Sequence, residues 1–439
     1  MRRIFKNMGW LLGGRGFNAV LSLVYLALAT RTLGLDGFGY FAIIVALGQT
    51  VTGLVNFQTW QFVVRWGAGP EGPARAAGFA VGLDLLSAVV GVAVSAILVS
   101  TAQLWLPLPD DLLWVAFGYC LVSLLAIRST PTGLLRLRFE YGRATAAEAV
   151  QPLIRALGAG LAVVFLPTVA GFILAWAAAE VCVAAALWFA ALRRDRLDLR
   201  EVSLTAIPRA NPGAWRFVLS TNALGSLQIA AKQVMILAVG AIGGEAFAGG
   251  FRIASQLGQA LVQLAQTISK AIYPELVHAQ DRAAEIARRM ANVALLGGAL
   301  AVLFALLFGR EALVLIAGQG FRGVYWAMVI LAIGGAVELV GASLESLLVS
   351  AGRAGTAFIV RAVPMALAFA LLETAMGWQE LKGAAFCLLG ASALAVIGFW
   401  VAILGQQGIR IEVDSDKQPG PQPDALPGTQ AGKRSGPET

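Results

Sequence analysis

Twelve stretches of about twenty mostly apolar residues follow one another along this chain, and that succession constrains the fold more than any other feature. They run approximately over 10–31, 37–64, 77–100, 112–135, 144–165, 169–192, 214–241, 246–272, 290–308, 324–349, 355–376 and 383–405. About twenty residues at 1.5 Å each match the hydrocarbon core of a bilayer. Backbone amides in that layer find no water, so each stretch has to satisfy them within itself, as an α-helix. The predicted class is an all-α integral membrane protein of about twelve transmembrane helices. Composition points the same way: 58% of the 439 residues are hydrophobic and 13% are charged, where soluble domains have roughly 45–50% and about 25%. A disordered chain, a disulfide-rich secreted domain and a typical soluble α/β enzyme are excluded.

Metal, haem and triad chemistry find no footing. The three cysteines, Cys120, Cys182 and Cys387, lie singly in apolar stretches, and His278 is the only histidine. No cofactor is expected. The net charge of +8 has no basic-aromatic surface to go with it, so nucleic acid is not an expected partner. Arg2, Arg3 and Lys6 precede an apolar run that includes Ala27-Leu28-Ala29, a signal-peptide-like pattern. Arg15 and Asn18 inside the run, and the spans that follow at once, favour its retention as the first transmembrane helix.

The basic residues orient the chain. With the N-terminus inside, 21 of the 33 Lys and Arg fall in inside segments and 4 in outside ones, with the remaining 8 inside spans. Lys and Arg collect in cytoplasmic loops, so both ends are expected in the cytoplasm. The outside loops are short, which leaves no room there for a separate domain.

A repeat divides the chain. Leu33-Gly34-Leu35-Asp36-Gly37-Phe38 is matched by Ile242-Gly243-Gly244-Glu245-Ala246-Phe247 at an offset of 209 residues. Leu47-Gly48-Gln49 is matched by Leu257-Gly258-Gln259 at an offset of 210. The expected organisation is a six-helix half over 1–192, a cytoplasmic linker over 193–213, a second six-helix half over 214–405, and a disordered cytoplasmic tail over 406–439. Both halves start on the same side, so they are parallel repeats, an arrangement transporters build around a central cavity.

Charges within the spans mark candidate sites, because an ionised side chain at mid-bilayer costs about 2.5–3.5 kcal/mol on insertion scales. Arg155 and Glu180 sit in the middles of consecutive helices and are expected to pair, as are Arg361 and Glu345. Glu338 and Glu345 are seven apart on one helix face. Arg128 stands three residues before Pro131, where the fourth span should kink. Arg15, Lys232 and Arg252 lie in spans one, seven and eight, at the junction between halves, with no acid on those spans at matching depth. They suit an anionic ligand such as a phosphate, or else pair with Asp84 or Glu338. Asp84, Glu180, Glu338 and Glu345 are candidates for ion coupling or for cavity pairing. Asp110-Asp111, after two prolines, reads as a solvated turn.

The run Arg31-Thr32-Leu33-Gly34-Leu35-Asp36-Gly37-Phe38-Gly39 resembles the R-x-L-G-x-x-x-F-G signature of polysaccharide-export flippases of the Wzx type. These belong to the multidrug/oligosaccharidyl-lipid/polysaccharide (MOP) exporter superfamily. Phe251-Arg252-Ile253 with Tyr273-Pro274-Glu275-Leu276, Gly318-Gln319-Gly320-Phe321, Ala351-Gly352-Arg353 and Gly383-Ala384-Ala385 resemble its later landmarks. The likeness covers roughly residues 1–405. It implies a translocase that moves an undecaprenyl-pyrophosphate-linked glycan across the bacterial inner membrane for O-antigen, capsule or exopolysaccharide assembly. A cationic cavity is implied with it, to which Arg15, Lys232, Arg252, Arg128 and Arg155 are the candidate contributors. Membrane lipid is an implied partner; a glycan polymerase and other assembly proteins are admitted as partners too. A multidrug or organic-cation antiporter and a peptidoglycan-precursor flippase of the same superfamily stay open. A membrane glycosyltransferase or polymerase would need catalytic acids on a large outside loop, for which only Asp110-Asp111 stands available.

Overall fold

A computed structural model describes residues 2–194, 197–211, 213–276, 283–350 and 353–415. Inside its helices the side chains of 2–17, 19, 199, most of 220–231, 261, 263–276, 283–294, 343, 346–347, 349–350, 354 and 405–415 are not described. All the regular structure described is helical. The two longest helices each turn once. α1 (Arg2–Val55) turns at Gly34 (φ 70°), and α14 (Ala354–Ser415) turns at Glu380 (φ 51°). Each therefore supplies two crossings.

The remaining helices fill in the order. α2 (Thr59–Gly67) continues the second crossing, and α3 (Gly72–Ser100) is the third. The fourth is split into α4 (Asp110–Leu125) and α5 (Ser129–Leu137), and the fifth into α6 (Tyr141–Glu148) and α7 (Val150–Phe165). The sixth is α8 (Val169–Leu192), capped by Thr168, whose hydroxyl accepts from the Gly171 amide at 3.2 Å. After a short α9 (Ala206–Ala210) come α10 (Gly213–Gly243), α11 (Glu245–Leu276), α12 (Ala283–Ala317) and α13 (Tyr325–Ser350). Eight helical stretches are long and apolar enough to cross a membrane, and two of them, of 48 and 50 residues, are the doubled ones. With α10 and α11 they account for the twelve crossings read from the sequence.

Side chains such as Val89, Phe165, Leu315 and Trp378 stand exposed on these helices. In water such a surface would be an aggregation hazard, whereas in lipid it is the normal outer face. Asp110 and Asp111 form the first turn of α4 behind Pro109, where carboxylates face the positive end of the helix. Their role is in starting a helix.

The linker forms a small helix and docks. Ile207 of α9 is buried with Phe62 of α2, Phe79 and Leu83 of α3, and Ala214 and Val218 of α10. At the opposite end of the bundle the two halves meet through backbone. The amide and Cα of Gly39 approach Gly249, and a side chain on Gly39 would overlap the Glu245 carbonyl. Phe38 meets Phe321 edge-on at 5.9 Å there, and Arg31 donates to the Leu315 carbonyl at 2.5 Å. The halves are thus closed together at the Gly34 end.

The repeat also shows in the backbone. Gly34 and Gly244, 210 residues apart, both take positive φ (70° and 91°) at the turn between the first and second helices of their halves. That conformation favours glycine, which has no Cβ to clash. Two details differ from the sequence reading. Span two is not continuous, because α1 and α2 are separated at 56–58, with Gln58 left-handed (φ 50°). Its break is held by the Asn56 side chain, which accepts from the Gln58 amide at 2.9 Å. Helix α14 runs on to Ser415, past the expected start of the tail at 406; 416–439 lies outside the described residues.

Candidate functional site

The charged residues of the N-terminal half converge on one carboxylate. Glu180 is buried on α8, one helical turn after Trp176. Arg155 of α7 reaches its Oε1 at 2.7 Å, and Arg128, from the break between α4 and α5, reaches its Oε2 at 3.1 Å. Gln151, one turn before Arg155, also donates to Oε1 at 2.9 Å. Two hydrogen-bond donors on Oε1 and a second guanidinium in ion-pair contact with Oε2 hold the carboxylate in place. Two arginines against one glutamate leave the cluster with a net charge of +1. The expected Arg155–Glu180 pair is present, and Arg128 joins it because the chain breaks at 126–128, as the nearby Pro131 suggested.

Trp176 links this cluster to a second cation. The Arg155 guanidinium carbon lies 3.7 Å from the indole centroid, and that of Arg252 lies 5.8 Å from it. Tyr25 and Phe41 pack edge-on against the same ring, at 4.8 and 5.2 Å. Arg252 is 4% exposed. Its Nη1 donates to the Ala42 carbonyl at 3.4 Å, its Nε has no partner, and Phe41 lies 5.7 Å away. Among the described residues no carboxylate comes within 4 Å of it. An arginine so placed is costly unless some other group shares its charge, and aromatic faces contribute only about 2 kcal/mol when desolvated.

Arg252 belongs to a polar stripe on α11. Arg252, Ser255, Gln256 and Gln259 recur at helical spacing on one face. Gln256 donates to the Tyr25 hydroxyl at 3.4 Å, and Gln259 accepts from the Lys232 ammonium on α10. Lys232 is partly open to its surroundings and also has no carboxylate within 4 Å among the described residues. The structure therefore brings Arg128, Arg155, Glu180 and Arg252 around Trp176, with Lys232 further along the same stripe. Arg15 is in α1, and its side chain lies outside the described residues.

The other acids sit elsewhere. Arg361 joins Glu338 at 3.1 Å and Glu345 at 2.8 Å, so the expected Arg361–Glu345 pair gains a second carboxylate. Asp84 accepts from Thr59 at 2.9 Å and Thr130 at 2.5 Å. Among the described residues neither Asp84 nor Glu338 comes within 4 Å of Lys232 or Arg252. The sequence reading missed Trp176, Tyr25, Phe41, Gln151 and Gln259. Two signals pointed to them. Trp176 and Glu180 are four apart on one helix face, and the α11 stripe has three uncharged polar members that a search for charges passes over.

No family model matches the chain. Inner membrane protein YghQ of Escherichia coli (strain K12) is 28% identical over 348 residues, which cover 74% of this chain and 95% of that protein. Two solved structures align over nearly the whole length. The lipid II flippase MurJ, in an inward closed conformation, gives a TM-score of 0.69 at 9% identity, covering 92% of this chain and 90% of its own. An inward-facing multidrug resistance MATE family transporter of the MOP superfamily gives 0.67 at 16% identity, covering 91% and 96%. The chain shares the fold of these membrane transporters.

Proposed function

We propose that this protein is a multi-pass inner-membrane flippase that moves an undecaprenyl-pyrophosphate-linked oligosaccharide to the outer leaflet, with both termini cytoplasmic. One observation carries the reading. Arg252 is buried with no carboxylate within 4 Å among the described residues, beside the same indole ring as an arginine cluster that already carries excess positive charge. Such a site stabilises an anion that arrives from outside the protein, and planar guanidinium groups fit pyrophosphate oxygens. The polar stripe of Ser255, Gln256 and Gln259 offers hydrogen bonds to sugar hydroxyls, and the exposed apolar helix faces leave the prenyl chain in lipid.

The charge distribution supports the direction as well. The 21-to-4 bias of Lys and Arg puts the linker end in the cytoplasm, so closure at the Gly34 end leaves the cytoplasmic side as the entry. Rocking of the halves then exposes the headgroup on the far side. A potential positive outside assists an outward-moving anion by about 2.3 kcal/mol per charge per 100 mV. The similarity to a lipid II flippase and to multidrug transporters supports transport as such.

The test is complementation of a strain lacking the gene, with glycan export read on the cell surface. Arg252→Ala at normal protein level is expected to abolish export and to accumulate the lipid-linked unit on the cytoplasmic face. Full export by that variant would sink the anion site. A second reading, an organic-cation antiporter, draws on the two carboxylates, Glu338 and Glu345, that gather about Arg361. Drug resistance conferred in a pump-deficient strain, without glycan accumulation in the deletion, would favour it.

A further inference from the structure

The end of the bundle opposite Gly34 carries an exposed aromatic pair, at the turn between crossings four and five. Helix α5 stops there in a Schellman motif. The Glu140 amide donates to the Leu135 carbonyl at 2.9 Å, and the Phe139 amide donates to that of Arg136 at 3.0 Å. The residue just past the helix in this motif is left-handed and is usually glycine, which has no Cβ to clash. Here it is Phe139, with φ 58°. A bulky residue at positive φ is an outlier, and such strain persists where the surroundings offset it. The protein itself offsets little. Phe139 is 81% exposed, and its ring lies 6.4 Å from that of Tyr141, which is 56% exposed. The compensating contact is therefore one made outside the chain.

Depth and charge identify that contact. α5 ends at Leu137, α6 begins at Tyr141 and α8 ends at Leu192, and these are also ends of three stretches long and apolar enough to cross a membrane. Ala144 and Ala147 of α6 are buried with Val183, Leu187 and Ala191 of α8, which mounts the turn beside the end of crossing six. The pair thus stands where hydrocarbon gives way to headgroups. Cations surround it. Glu140, between the two aromatic residues, is shared by Arg143 at 3.2 Å and Arg194 at 3.3 Å, whose side chains are 45% and 50% exposed. Arg193 lies over the ring of the exposed Phe189 at 4.2 Å, as a basic side chain does when it runs along apolar surface toward the headgroup layer. A guanidinium has five donors, so Arg143 and Arg194, half open and sharing one carboxylate, keep donors for a second anion.

We infer that Phe139, Tyr141, Arg143 and Arg194 bind the headgroup of an anionic phospholipid, with its phosphate on the two arginines and the Phe139 ring among the first methylenes of its acyl chains. The position at three span ends favours lipid over a cytosolic protein, because lipid is the neighbour at that depth. The arginines favour an anionic lipid over a neutral one. Binding has a mechanical consequence. The lipid bridges the end of α5 to the end of α8, and the same two helices bring Arg128, at the start of α5, to Glu180. A headgroup held at this end braces two of the elements that carry the arginine cluster. That consequence rests on the proposed function, and the choice of the cytoplasmic leaflet on the proposed orientation; the lipid binding rests on neither.

The experiment titrates the purified full-length protein, in detergent, with phosphatidylglycerol or with phosphatidylcholine. Lipid retained on the protein in native mass spectrometry and the thermal midpoint are the readouts. Wild type is expected to retain phosphatidylglycerol in preference and to be stabilised more by it. Arg143→Gln with Arg194→Gln should lower that preference about thirtyfold, roughly fivefold for each basic group at a membrane surface. Phe139→Gly removes the ring and relieves the backbone together, so it should fold at least as well as wild type and lose most of the stabilisation by phosphatidylglycerol. A double arginine variant that keeps the full preference, or a Phe139→Gly variant that keeps the full stabilisation, would overturn the proposal. Equal responses of wild type to the two lipids would overturn it too, and would assign this face to a protein partner. Glycan export in Arg252→Ala reads the flippase claim independently, so either can fail without the other.

Discussion

Glu180→Gln removes the one negative charge that two buried-side arginines share, and its cost can be worked from the geometry. Removing one partner of a buried ion pair costs about 3–5 kcal/mol, because the other charge stays behind. Arg128 has a side chain 36% exposed and can turn toward solvent, so its share is small. Arg155 is only 16% exposed and is pinned over Trp176 at 3.7 Å. The indole face recovers about 2 kcal/mol at most. The loss expected is therefore about 3 kcal/mol, the lower end of the range. The double variant Glu180→Gln with Arg155→Gln should lose less than the sum of the two single changes, with a coupling of about 1.5–3 kcal/mol. Equilibrium unfolding in mixed micelles, followed by far-UV circular dichroism, gives each value. A loss below about 0.5 kcal/mol for Glu180→Gln, or strict additivity in the double variant, would refute the idea that this carboxylate anchors the cluster.

Arg361→Leu leaves Glu345 without its 2.8 Å partner while Glu338, more than half exposed, rehydrates. A loss of about 2–3 kcal/mol is expected, mostly recovered by adding Glu345→Gln, in the same unfolding assay. Gly39→Leu places a side chain against the Glu245 carbonyl and should part the halves at the Gly34 end. A cysteine introduced at Leu35 should then react several-fold faster with a membrane-impermeant maleimide, in a protein cleared of its native cysteines. Gly34→Ala meets no neighbouring atom, so it should cost only the strain of a backbone conformation (φ 70°, ψ −169°) confined essentially to glycine, about 1–3 kcal/mol, again by unfolding.

Much of this architecture was legible because lipid imposes a simple rule. A span must be about twenty apolar residues long and helical, so twelve apolar stretches became twelve crossings. The Arg155–Glu180 and Arg361–Glu345 pairs were legible for a related reason, since unpartnered charge at that depth is expensive. The break at 56–58 was not. Its residues, Asn56-Phe57-Gln58, contain no proline or glycine. The chain opens there because the Asn56 side chain takes the Gln58 amide and Ser129 takes that of Trp60 at 3.0 Å, a partner more than seventy residues from Asn56. Trp176 was missed because an aromatic residue in an apolar helix is ordinarily core. Only the third dimension brings the guanidinium groups of Arg155 and Arg252 to the same indole ring.

The repeat holds in the backbone and not in the chemistry, and the difference bears on mechanism. At the offset of 210 that relates Gly34 to Gly244, Arg128 falls on Glu338; at 206, Arg155 falls on Arg361 and Glu180 on Phe386. The two halves thus keep an arginine on the fifth helix and exchange what surrounds it. In the first half one glutamate lies between two arginines; in the second one arginine lies between two glutamates. The first cluster has one more arginine than carboxylate; among the contacts described, the second has one more carboxylate than arginine. Arg252, which reaches out from the second half, adds its charge beside the first cluster. On the proposed reading, an anionic cargo is drawn to that cluster, where Trp176 and Arg252 also stand. Two repeats alike in backbone would then hold such a cargo unequally, which a charge-symmetric pair would not do.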